Sequence, residues 1–175
     1  MLVTTAVIAG ELPESVRYDQ SNVRLLAGAS SAGKWSAGVE IGMAPGWKTY
    51  WRVPGDAGVP PHFDWQASTN LDKVEVDWPA PKRYHAEAGE SIGYKDQVVF
   101  PMVVTPKDPS KPVELMLDLF YAVCNDICIP GSAKLAMTLA DPAGSRGRAV
   151  PFQRRARRVT AAFRPCPGHR RCAHD

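Results

Sequence analysis

The stretch VELMLDLFYAV at 113–123 alternates so strictly that it leaves few folds open to the chain. Val113, Leu115, Leu117, Leu119, Tyr121 and Val123 fall on one face of an extended segment. Glu114, Met116, Asp118, Phe120 and Ala122 fall on the other. A period of two with one wholly apolar side predicts a strand that buries one face. The same period returns in Ala133, Leu135, Met137 and Leu139, in Trp35, Ala37, Val39 and Ile41, and in Val74, Val76 and Trp78. Further strands are expected over 22–27, 47–53, 61–66 and 97–105. Between them lie the turn clusters APG at 44–46, VPGDAGVPP at 53–61, WPAPKR at 78–83 and TPKDPSKP at 105–112. Strands at such intervals, with no convincing amphipathic helix and no internal repeat, predict an all-β antiparallel sandwich ending near residue 140.

With 175 residues the chain holds one such domain and an appendage. The net charge of +3 conceals an asymmetry: from Ser145 onward there are nine arginines, one aspartate and no lysine, a local +8, which leaves −5 for residues 1–144. The basic tail, 141–175, reads as a solvated, disordered segment, with nucleic acid or anionic lipid as the alternative ligands. No aromatic platform interleaves the arginines, so nucleic acid is not expected as a partner. Nowhere does an apolar run approach the roughly 18 residues of a membrane helix. Residues 1–19 open with a short apolar patch without a positive flank, read as a first strand or the remnant of an export signal.

The four cysteines do not form one set. Cys166 and Cys172 lie in the tail with His169 and His174, at a spacing that is not a usual zinc half-site. Cys124 and Cys128, in YAVCNDICIPG, lie where the strong strand stops and a Pro-Gly turn is expected at Pro130 and Gly131. A structural disulfide here closes a loop of about five residues, which on chain entropy contributes only ~2 kcal/mol, against nearly ~5 for a loop of about 100. A metal would need further ligands, and His62, His85, Met43, Met102, Met116 and Met137 stand at no diagnostic spacing. A redox pair fits better, because a short loop opens and closes with little rearrangement and a strand end exposes a sulfur to an attacking thiolate. Asp126, between the two, would oppose thiolate formation by like-charge repulsion.

Several segments then match one family. YAVCNDICIPGSAKL resembles the active-site hairpin of the N-terminal domain of DsbD-type protein-disulfide reductases, closest to the branch that includes the ScsB copper-tolerance proteins. NVRLLAG at 22–28, APGWKTYWRVPGDAGVPPHFDW at 44–65, VDWPAPKRY at 76–84 and IGYKDQVVFPMVV at 92–104 follow in the family's order, covering residues 20–140. The resemblance implies an immunoglobulin-like sandwich in the bacterial periplasm, acting as a protein-disulfide reductase module that needs no bound cofactor. It implies a relay in which a thioredoxin-like domain, fed through a transmembrane reductase, reduces this domain, which in turn reduces periplasmic thiol-disulfide proteins. An isomerase, a cytochrome c maturation factor or a copper-stress protein are the acceptors such a relay serves. Cys124 and Cys128 would be the catalytic couple. The rival readings are a copper-binding module using the same thiols and a non-catalytic interaction sandwich with a structural disulfide.

In the better-known branch a cap loop with acidic and aromatic residues shields the cysteines. The matching region is KRYHAEAGESIGY at 82–94, where that cap sequence is not preserved and Tyr84, His85, Glu87, Glu90 and Tyr94 are the candidates. Tyr50 stands where that branch has an aromatic near the cysteines. The bland alternatives for these side chains are surface polar residues and core aromatics. The family's transmembrane and thioredoxin-like domains do not follow residue 140, and VPFQRRARRVTAAFRPCPGHRRCAHD matches nothing expected there. The expectation is a truncated or frame-shifted member, tested by whether either other reading frame beyond residue 140 encodes membrane helices.

Overall fold

The computed structural model describes residues 12–56, 58–86 and 89–140. The expected tail, with Cys166, His169, Cys172 and His174, and most of the N-terminal segment lie outside the described residues, as does Glu87. Eleven strands and no helix make up the described chain. They are β1 (Ser15–Arg17), β2 (Ser21–Ser31), β3 (Lys34–Met43), β4 (Lys48–Gly55), β5 (His62–Asp64), β6 (Leu71–Val76), β7 (Lys82–Ala86), β8 (Gly89–Lys95), β9 (Gln97–Pro106), β10 (Val113–Cys124) and β11 (Cys128–Leu139).

Two antiparallel sheets form. One runs β1-β2-β3-β9-β6; the other runs β11-β10-β4-β8-β7, with β5 against the middle of β10. This is the expected immunoglobulin-like sandwich. The alternating face of β10 is its centre: Val113, Leu115, Leu117, Leu119, Tyr121 and Val123 are all at most 3% exposed. Val23, Leu25, Val39, Ile41, Phe100, Met102 and Val104 meet them from the first sheet. Phe63, Trp78, Tyr94 and Phe100 pack edge to face, with centroids 5.0 to 6.0 Å apart, which adds quadrupole attraction to their burial. At the other end, the Tyr121 hydroxyl shares a buried hydrogen bond of 2.8 Å with Ser21.

Three features depart from the alternation pattern. First, β1 lies before residue 20, paired with β2 from Ser15↔Arg24 to Arg17↔Asn22. Second, no turn forms at Pro130 and Gly131. Both lie inside β11, opposite Ala122 and Tyr121, and the turn is Asn125, Asp126 and Ile127 instead. The cause is simple: β11 is an edge strand, where a proline without an N–H is tolerated. Gly131 leaves room for Tyr121, whose ring would lie 3.2 Å from a Cβ there. Third, β7 and β8 pair with each other as a β-hairpin, and β8 pairs in turn with β4.

Candidate functional site

Successive side chains of a strand point to opposite faces. The odd-numbered residues of β10 enter the core, so Cys124, like Phe120 and Ala122, belongs to the outer face of its sheet. Register puts Cys128 directly across from it, as the first residue of β11. The two are joined as a disulfide with Cα atoms 4.1 Å apart. That spacing is close to the narrow rungs of an antiparallel ladder, where side chains approach best. The tip is closed by the Asn125 N–H, which donates to the Ile127 carbonyl at 3.0 Å.

The two sulfur-bearing residues are unequal. Cys124 is 2% exposed, in a small cluster with Tyr50 and Ala122 that is separate from the main core. Cys128 is exposed, and its neighbour Ile127 is 65% exposed. Tyr50 makes the cover. It is 3% exposed, its hydroxyl lies 3.7 Å from Cys128 Sγ, and burial pushes that hydroxyl above its ordinary pKa, so it keeps its proton as a donor. The adjacent Thr49 hydroxyl donates to the Ala122 carbonyl at 2.9 Å, tying β4 to β10 where they would otherwise share only the Cys124↔Lys48 rung. Over Tyr50 lies the loop after β4. A Cβ on Gly58, whose φ is +129°, would sit 2.3 Å from the Tyr50 ring, so only glycine fits.

The other expected surround residues are placed differently. Tyr94 is a core aromatic, 7% exposed, donating to the Pro79 carbonyl at 2.8 Å. His85 and Glu90 are opposite each other in the β7–β8 hairpin, where Arg83 holds Glu90 at 2.8 Å. The Glu90 backbone N–H donates to Asp56 at 2.9 Å, which fastens the hairpin to the loop after β4. Tyr84 lies under the ammonium groups of Lys48 and Lys95, at 5.8 and 4.9 Å from its ring centroid. Asp126 is exposed at the tip. No hydrogen bond or ion pair joins Tyr84, His85, Glu90, Tyr94 or Asp126 to either cysteine among the described residues. Lys48 and Gly58 escaped the sequence reading. For Lys48 the signal was present, since it precedes Tyr50 by two residues and so shares its face.

Of the soft ligands considered for a metal, Met102 and Met137 are core residues, and His62 and His85 lie on separate strands. Among the described residues no group of three or more His, Cys, Asp or Glu side chains is placed to hold an ion. The arrangement leaves Cys128 exposed while Cys124 stays covered.

Residues 20–140 match the family model "Thiol:disulfide interchange protein DsbD, N-terminal". No curated protein matches the chain. Among solved structures, the N-terminal periplasmic domain of ScsB from Proteus mirabilis is similar at 30% identity and a TM-score of 0.64, over 82% of this chain. The chain spans 54% of the length of that structure. The yeast GGA1 GAE domain is similar at 8% identity and a TM-score of 0.41, over 72% of this chain and 96% of its own. With a family match over most of its length, centred on a sandwich that presents a two-cysteine hairpin, the chain belongs to the DsbD N-terminal domain family of thiol:disulfide interchange proteins.

Proposed function

We propose that Cys124 and Cys128 are a dithiol–disulfide couple that exchanges with a thioredoxin-like donor and with periplasmic thiol-disulfide acceptors. The observation that carries this reading is the inequality of the pair, with Cys128 exposed and Cys124 covered. An incoming donor thiolate attacks Cys128 Sγ in line with the disulfide. The Cys124–Cys128 bond breaks, and its electron pair leaves on Cys124, which takes up a proton. The donor's second thiolate then attacks the donor sulfur of the mixed disulfide and expels Cys128. The donor ends oxidised and the couple reduced, with no cofactor. Running the same steps in reverse, the Cys128 thiolate attacks an acceptor disulfide and Cys124 resolves it. The Tyr50 hydroxyl, 3.7 Å from Cys128 Sγ, is placed to donate to that thiolate.

The periplasm is the compartment this reading requires, because a protein-disulfide reductase finds disulfides to reduce there. Cover from Tyr50 also has physical sense in an oxidising space, since an open thiol pair is oxidised unproductively. Trapping tests the reading. Cys124→Ala removes the resolving sulfur and should accumulate, in periplasmic extract, a mixed disulfide between Cys128 and a thioredoxin-like protein that dithiothreitol releases. Cys128→Ala, left with the covered sulfur, should trap far less. Recovery of no adduct from either variant overturns the proposal.

A further inference from the structure

Three registers place four residues in one row across the second sheet. Cys128 is opposite Cys124, Cys124 opposite Lys48, and Lys48 opposite Lys95. Directly opposite residues of neighbouring strands share a face. With strands about 4.8 Å apart, the two lysines start roughly 5 and 10 Å along the sheet from Cys124. Their ammonium groups converge over the Tyr84 ring, and Lys48 Nζ also donates to the Ser91 hydroxyl at 2.7 Å. Among the described residues neither lysine has a carboxylate within ion-pair distance, although residues 1–144 carry a net −5. Asp96 lies near enough to act on the Tyr84 hydroxyl, but it pairs with neither lysine. Burial, and then repulsion from Lys95, lower the Lys48 pKa, as expected of like charges held together without a counter-charge.

We infer that Lys48 and Lys95 form a carboxylate-binding position for an acidic protein partner, beside the disulfide and on the same face, and that they select which thiol proteins exchange with it. The occupant is an Asp or Glu side chain carried roughly 10 to 14 Å from the partner's attacking cysteine, the span that the strand spacing sets from Cys128, the attacked residue, to Lys48 and Lys95. A protein partner is the natural source, because whatever reaches this row must also deliver a thiolate to Cys128. The inference rests on the exchange reading above.

The test compares reduction of the oxidised full chain by two synthetic dithiol peptides that differ only in a short run of Glu or of Lys beside the cysteines, with dithiothreitol as a neutral reductant. At low salt the acidic peptide should reduce the native chain about tenfold faster than the basic one, and about 0.5 M salt should erase most of the difference. The double variant Lys48→Glu/Lys95→Glu should abolish or invert the preference while its rate with dithiothreitol stays native. Lys95→Glu alone, at an exposed position, should remove part of it without risk to folding. An unchanged preference in the double variant overturns the inference. So does an equal slowing with dithiothreitol, which would make the lysines a local influence on the sulfurs. Failure of dithiothreitol to reduce even the native chain would overturn the exchange reading and this inference with it.

Discussion

The two buried clusters of the second sheet are built on opposite principles. On the inner face, side chains from both sheets interdigitate, and Leu115, Leu119, Leu135 and Phe100 are wholly inaccessible. On the outer face, among the described residues, Tyr50, Ala122 and Cys124 form a small buried apolar cluster, and the loop carrying Gly58 packs on the Tyr50 ring. The inner cluster is held by many contacts, each removable only at the cost of a cavity. The outer one depends on a single aromatic ring and the glycine above it. The difference predicts that stability and reactivity separate, with the fold staying intact while the cover over the disulfide is opened.

That separation can be broken from either side. The largest effect should come from Leu119→Ala, at a wholly buried position on the inner face. A loss of about 2–5 kcal/mol in denaturant unfolding is expected, with the reduction rate of the folded protein unchanged. A changed rate would show that core and cover are coupled. Gly58→Ala should come next. The added methyl meets the Tyr50 ring at 2.3 Å and must displace it or the loop. We expect a loss of roughly 1–3 kcal/mol and faster reduction of the disulfide by dithiothreitol, measured by stopped-flow. Unaltered reduction kinetics would mean that Tyr50 does not limit access. The smallest effect should come from Tyr50→Phe, which keeps the ring and removes the hydroxyl near Cys128 Sγ. Stability should move by less than about 1 kcal/mol, while the pH at which reduced Cys128 alkylates should rise for want of the donor. A lowered alkylation pH would contradict that role.

How far the site could be read in the chain follows the same division. The inward face of β10 was visible residue by residue because a half-buried strand must alternate. Cys124 falls out of that phase, so its place on the outer face was implicit in the same pattern. Its burial was not, since it depends on Tyr50, which is 74 positions earlier in the chain. Pro130 and Gly131 resembled a turn because those residues usually make one. Their place in β11 depends on that strand lying at a sheet edge, which no local pattern reveals. The hairpin of β7 and β8 was equally hidden. KRYHAEAGESIGY has no apolar alternation, and its strands are fixed by pairing with β4 and by the hydrogen bond from Glu90 to Asp56.

The sequence by itself determined the class of fold and singled out the cysteine pair, because period-two burial and the chemistry of two nearby thiols are local properties. Tertiary structure alone decided which cysteine is covered, which tyrosine covers it and which lysines share its face. Those depend on strand order and register, through which residues distant in the chain become neighbours on one rung.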